Sequence, residues 1–178
     1  MKTIIFKRVF TIAFIAIICG LLSWLIFQSL KQDVLPMGSA MPELRCFDGR
    51  FQKIIKPDNL NSTLIMIFHK ECEHCQYQLN QFDKNIKRFG RTRMFLLTTD
   101  PKFFKDDSIK QKWPALVSSQ NIFWGVVKRS EFKEKFGRFV FPSFYLFDNS
   151  GKLCFKVKGE VKLQKILDKL TTLSGPER

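Results

Sequence analysis

The chain has 178 residues and a formal net charge of +14, from 30 Lys and Arg against 16 Asp and Glu. That length admits one domain plus an appendage, and a composition 45% apolar and 26% charged argues against global disorder. The basic residues are scattered, with no arginine-rich block and no nucleic-acid-binding motif. The charge therefore reads as a solvated basic surface suited to an anionic membrane, and no nucleic-acid partner is expected.

Residues 9–30 contain no charge. At helical rise this stretch extends about 33 Å, enough to cross a bilayer core of about 30 Å. Lys2, Lys7 and Arg8 precede it and only Lys31 immediately follows, so residues 1–8 are expected in the cytoplasm and the bulk of the chain outside. A cleaved signal peptide would have a shorter apolar core and a small-x-small site, and no such site follows Leu30. A lipoprotein signal would need a small residue before Cys19, where Ile18 stands. The expectation is an uncleaved transmembrane anchor over 9–30. Residues 31–42 carry two prolines, a Gly-Ser pair and no apolar periodicity, and read as a linker. A folded domain is expected over 43–173, with 174–178 as a tail.

Within that domain, Leu44 to Ile55 predicts a hairpin turning at Asp48-Gly49. The apolar run Thr63 to Phe68 reads as a buried strand. A helix is expected over about 73–89, with Cys75, Leu79, Phe82, Ile86 and Phe89 on one face and Gly90 as its stop. Met94 to Thr98 is a second apolar strand. Asp100-Pro101 predicts the start of another helix, ending before Pro114. Asn121 to Val127 reads as a short strand, followed by a helix capped by Ser130 and ended by Gly137. Phe144 to Phe147 and Leu153 to Val157 form a hairpin around Asp148-Asn149-Ser150-Gly151. The last helix, about Val161 to Leu173, sets Leu163, Ile166, Leu167, Leu170 and Leu173 on one face. This order predicts an α/β fold with a mixed central sheet flanked by helices.

The stretch Cys72-Glu73-His74-Cys75 falls where the first buried strand gives way to the helix. Unpaired N–H groups and the helix dipole stabilise an anion there. A thiolate so placed forms at lower pH than a free cysteine, and the thiolate is the species that attacks disulfides. Cys75, one turn deeper, can close a disulfide with Cys72 or resolve a mixed one. The two histidines, His69 and His74, bracket the pair. A protonated His74 favours a Cys72 thiolate, whereas Glu71 and Glu73 disfavour it. His69, at the end of a buried strand, reads as structural.

A metal site is the rival reading, because His69, Cys72, His74 and Cys75 are all ligand types. Four ligands within seven residues, split between strand and helix, do not readily form a tetrahedron. Structural zinc sites also draw a second ligand pair from distant sequence. Cys46 and Cys154, each in a predicted strand, read as small buried hydrophobes rather than as a second disulfide.

Three features resemble the thioredoxin-like superfamily, and within it the membrane-tethered, extracytoplasmic TlpA/ResA-like group, over about residues 42–173. The first is Cys72-Glu73-His74-Cys75 at a strand-to-helix junction. The second is Phe141-Pro142-Ser143-Phe144-Tyr145-Leu146-Phe147-Asp148, which is similar to the family's proline at the start of a strand. The third is the hairpin at Asn149-Ser150-Gly151 followed by an amphipathic C-terminal helix.

The resemblance implies a thioredoxin-like fold in which Cys72 attacks and Cys75 resolves. It implies that Pro142 is cis, and that Pro142 and Phe141 align the substrate backbone. It further implies protein thiols and disulfides as substrates, no metal or organic cofactor, and a membrane electron donor or acceptor. The expected location is the bacterial inner membrane, with the catalytic domain in the periplasm.

Several positions depart from the family pattern. Glu71 stands where an aromatic residue is frequent, and Met66 where many members carry a buried acid. Many reductants have a proline between the cysteines, whereas the Glu73-His74 dipeptide resembles oxidising members, so the redox direction stays open. The threonine and proline that precede a peroxidatic cysteine are absent around Cys72. A thioredoxin-like copper-binding protein and a redox-inactive binding module remain the alternatives.

Overall fold

The computed structural model describes residues 2–30, 34–57, 60–106 and 108–174, and the chain divides into two compact units, Met1–Val34 and Leu35–Arg178. The first unit is a helix, α1 (Lys2–Leu30). Its side chains are described over 12–27, sixteen positions, and all are exposed, including Ile12, Phe14, Trp24 and Phe27. Among the described residues no helix is long and apolar enough to cross a membrane. The ends of the expected anchor, 9–11 and 28–30, lie outside the described side chains.

The second unit is built on a seven-stranded mixed sheet. Its strands are β1 (Leu44–Phe47), β2 (Gln52–Ile55), β3 (Thr63–Ile67), β4 (Arg93–Thr98), β5 (Ile122–Val127), β6 (Ser143–Phe147) and β7 (Leu153–Lys158). They lie in the order β2-β1-β5-β4-β3-β6-β7, with β3, β4 and β5 mutually parallel and β6 antiparallel to β3. Every residue of β3 and β6 is buried, as continuous apolar runs require when both sheet faces are covered. Alternate side chains feed opposite cores: Leu64 and Met66 enter one, Ile65 and Ile67 the other.

The first core is covered by α2 (Glu73–Lys84), α3 (Ser108–Lys112), α4 (Pro114–Ser118) and α6 (Leu163–Ser174). The second is covered by α5 (Arg129–Phe136), whose Phe132 and Phe136 are buried. The mixed sheet, both hairpins and the β3-to-α2 junction lie where the apolar patterning predicts them.

Three local expectations are corrected. The helix expected over 73–89 stops at Asn85, whose side-chain amide donates to Gln81 O at 2.9 Å, and resumes as a 3-10 turn, Ile86–Phe89. Asn competes with the backbone in this way and favours helix ends. The helix expected from Asp100 is a 3-10 turn (Phe103–Lys105) followed by α3 and α4. Pro114 does not merely stop a helix. It opens α4 at a first-turn position, where its missing N–H costs nothing. Ser130 is not the cap of α5, because Lys128 occupies that position, and Glu131 ties the first turn to β1 by accepting Arg45 N–H at 3.0 Å.

The stretch expected as a linker is partly built into the domain. Residues 31–33 lie outside the described residues, but Leu35 and Met41 are buried in the second core. Gly38 N–H donates to Leu153 O, Leu153 N–H to Ser39 O and Met41 N–H to Gly151 O, each at 2.8 Å. The strap thereby pairs with the start of β7, an edge strand whose backbone groups would otherwise be open.

Met41 is 5% exposed and Met37 is 54% exposed, which separates a docked strap from a free linker. Met41→Ala is expected to cost about 2–5 kcal/mol in urea unfolding, and Met37→Ala less than about 0.5 kcal/mol. Equal, negligible effects would mean that the strap contributes nothing to the fold.

Candidate active site

The site begins where sheet pairing ends. Phe68 N–H still donates to Leu97 O at 2.9 Å, and beyond it the chain turns through His69 to Glu71 into α2. His69 Nδ1 accepts Glu71 N–H at 3.3 Å, a structural role within the turn. Lys70 Nζ pairs with Asp106 at 3.3 Å and Asp100 at 3.6 Å, and Lys70 O accepts from the Gln76 amide at 2.6 Å. The hydrogen bond that Lys70 donates to Asp106 leads in pushing the pKa of its ammonium above the ordinary lysine range. The turn is thus tied both to the β4–α3 loop and to α2.

Cys72 is the N-cap of α2. Its backbone is extended, and its Sγ accepts Cys75 N–H at 3.3 Å, filling the place that an oxygen side chain usually takes. Cys75 Sγ donates to the same sulfur at 2.7 Å. Cys72 is half-buried while Cys75 is 0% exposed. Burial first, and then the hydrogen bond to Cys72, push the Cys75 thiol well above the ordinary cysteine range, so Cys75 keeps its proton. One sulfur is open and accepts two hydrogen bonds at the positive end of a helix; the other is closed and donates one. Met66 is itself fully buried in the core that holds Cys75.

The Phe141–Pro142 bond is cis, the geometry that the resemblance implies. Ile67 pairs with Ser143 in the β3–β6 register, which brings the proline beside the end of β3. The Phe141 ring lies 5.7 Å from His69, centroid to centroid. Pro142 O accepts Gly159 N–H at 2.7 Å.

Glu73 and His74 are both exposed on the first turn of α2. His74 Nδ1 lies 2.6 Å from Glu160 Oε2. Glu160 escaped the sequence reading, since it lies 86 positions away in the turn after the last strand and no local pattern links it to the cysteines. The structure thus gathers Cys72, Cys75, His69, Phe141 and Pro142 at one end of the sheet, with Glu73 and His74 on its exposed rim.

Cys46 and Cys154 stand apart from this site and from each other. They lie on β1 and β7, five strand spacings or about 24 Å apart, and both are free thiols. Among the described residues, no group of three or more His, Cys, Asp or Glu is arranged to hold a metal ion.

No protein-family model matches the sequence, and no curated protein matches it. Solved structures do. One is a peroxiredoxin-like protein from Aquifex aeolicus, with TM-score 0.63 and 15% identity over 78% of this chain and 88% of that one. Another is a thiol:disulfide interchange protein from Bacteroides sp., with TM-score 0.59 and 16% identity over 82% and 95% of the two chains. The exposed lipoprotein thioredoxin of Streptococcus pneumoniae aligns with TM-score 0.54 and 20% identity over 75% and 100%.

The fold is thioredoxin-like.

In this thioredoxin-like domain the two thiols differ in access, and burial raises the proton affinity of Cys75, which makes the two separable by reagent. Brief alkylation of the reduced protein at pH 6 should label Cys72 and spare Cys75, as mapped by peptide mass, because only the thiolate reacts. Labelling of Cys75 first would reverse the assignment.

Proposed function

We propose that the chain is a membrane-anchored, extracytoplasmic thiol–disulfide oxidoreductase of the TlpA/ResA-like type. The observation that carries this reading is the unequal pair at the start of α2. Its sulfurs are 2.7 Å apart, one accepting two hydrogen bonds and the other buried and protonated. The solved structures with this fold add support, since they include thiol:disulfide interchange proteins.

The chemistry follows from the two roles. As a reductase, the Cys72 thiolate attacks a substrate disulfide, forming a Cys72–substrate bond and releasing one substrate thiolate. Cys75 then loses its proton and attacks Cys72 Sγ, which breaks the mixed disulfide and releases the second substrate thiolate. The protein is left with a Cys72–Cys75 disulfide, and two electrons have passed to the substrate. Oxidation runs through the same intermediates in reverse. Buried thiols exchange slowly while protonated, so the resolving step waits on proton loss from Cys75. Phe141 and cis-Pro142 present backbone to the bound chain, and Glu73 and His74 modulate the charge beside Cys72.

The thiols carry both electrons, so the exchange step itself calls for no metal or organic cofactor. Turnover requires a partner that restores the pair, and a membrane protein that donates or accepts electrons fits a chain tethered by α1. The charge-free stretch 9–30, preceded by Lys2, Lys7 and Arg8, supports a single-pass anchor in a bacterial inner membrane with the redox domain in the periplasm. An oxidising compartment is where such a pair needs a dedicated partner.

Substitution separates the two roles. Cys72→Ser should abolish exchange, whereas Cys75→Ser should still attack and then stall, leaving mixed disulfides that non-reducing gels resolve and that identify the partner. Unchanged disulfide exchange in both variants would mean that Cys72 and Cys75 do not carry it, and no exchange by the unsubstituted chain would make it a redox-inactive binding module.

The anchor is tested by washing membranes with alkaline carbonate. The full-length chain should stay with the membranes, and release of a shorter soluble form would mean that the segment is a cleaved signal.

A further inference from the structure

The turn that joins β7 to α6, Gly159-Glu160-Val161, is fixed on both sides of Glu160. Gly159 N–H donates to Pro142 O at 2.7 Å, with Gly159 at φ 101, a region that favours glycine. Val161 N–H donates at 2.9 Å to Oε1 of Gln78, a fully buried side chain on α2. The backbone of Glu160 is therefore held between the cis-proline and the second turn of α2. From there its carboxylate reaches His74 Nδ1 at 2.6 Å.

We infer that Glu160 is a positioning residue which, by holding His74, withdraws the histidine's electrostatic support from Cys72 and biases the cysteine pair towards reduction of its substrates. This inference rests on the oxidoreductase reading and deepens it by assigning a direction. An unpaired imidazolium two residues from Cys72 would favour the thiolate, stabilise the dithiol form and make the pair an oxidant. A carboxylate on Nδ1 removes that advantage whichever way His74 is protonated. With imidazolium the pair is neutral; with neutral imidazole, Nδ1–H donates to a carboxylate and the rim is negative. Glu71 and Glu73 flank Cys72 with the same sign, and the nearest cation along the turn, Lys70, is engaged by Asp100 and Asp106. The dithiol is thus left without a nearby free cation from this turn, which favours the disulfide and makes the pair the better electron donor. The His74 and Glu160 side chains are 72% and 43% exposed, so solvent screens the effect to the scale of a surface ion pair.

The test is the equilibrium between the full-length, detergent-solubilised protein and glutathione buffers, read as the fraction of Cys72 and Cys75 protected from alkylation. Glu160→Gln should shift the equilibrium constant about two- to fivefold towards the dithiol, the range of an exposed ion pair. Fivefold is about 20 mV for a two-electron couple. Glu160→Lys should shift it further in the same direction. With His74→Ala already present, Glu160→Gln should produce less than half the logarithmic shift, because the path through the histidine is gone. No shift in either Glu160 variant, or a full-sized shift in the His74→Ala background, overturns the inference while leaving the oxidoreductase reading in place. Failure of the unsubstituted protein to form a Cys72–Cys75 disulfide in oxidised glutathione overturns both.

Discussion

A helix that starts at the edge of a buried sheet must satisfy N–H groups that have no partner within the helix. At the start of α2 a cysteine sulfur meets part of that requirement, and much of the domain serves to hold it there. β3 lies in the middle of the sheet between β4 and β6, so the strand feeding the junction is fixed on both sides. The apolar face of α2, with Cys75, Leu79 and Phe82 fully buried, fixes the other side of the turn. Phe82 packs against Phe89 and Phe144 with centroids 5.0 and 6.0 Å away, linking the helix to β6 and hence to the cis-proline. The same cap that steadies the helix also presents the sulfur at the positive end of its dipole. Fold and chemistry thus share one hydrogen bond, Cys75 N–H to Cys72 Sγ.

The short helices beyond β4 show how α2 organises its neighbours. α3 and α4 have five residues each, far below the length at which a helix is stable alone. They hold because α2 pins them. Asn80 accepts the Trp113 indole N–H at 2.8 Å, and Asp83 accepts Leu116 N–H at 2.9 Å. Trp113 and Phe103 stack on Trp124, with centroids 6.1 and 5.6 Å from it, which fills the space above β5 with flat rings. Two polar side chains on the rim of α2 therefore replace the intrinsic stability that these segments lack.

This division also explains what could be read in advance. β3 and β6 were legible because strands covered on both faces carry nearly continuous apolar runs, here Leu64 to Ile67 and Phe144 to Phe147. α2 and α6 were legible because each buries a single stripe. The thiol pair was legible because its spacing places both sulfurs on one turn. The strap at 34–41 was not, since only Leu35 and Met41 enter the core and two side chains make no period. The broken helix after Asp100 was hidden for a related reason: Asp100 and Asp106 each accept a backbone N–H two residues on, at 2.9 and 3.1 Å. Two such Asp side-chain turns in succession break the chain into two short segments where one helix was expected. Glu160 belongs to a third kind, a contact made by topology alone, when the turn after β7 returns to the start of α2.

Cys46 acquires a different significance from its place in the fold. It is 2% exposed in β1, paired across to Lys53 on one side and Val127 on the other. Burial, reinforced by Asp48 and Glu131, pushes its thiol up to about 12. Such a group meets reagent only when β1 separates from its neighbours and water enters. Its modification rate under native conditions therefore measures how often that flank of the sheet opens. The domain thus carries an internal clock for its own breathing, on a strand remote from the sulfurs at the start of α2.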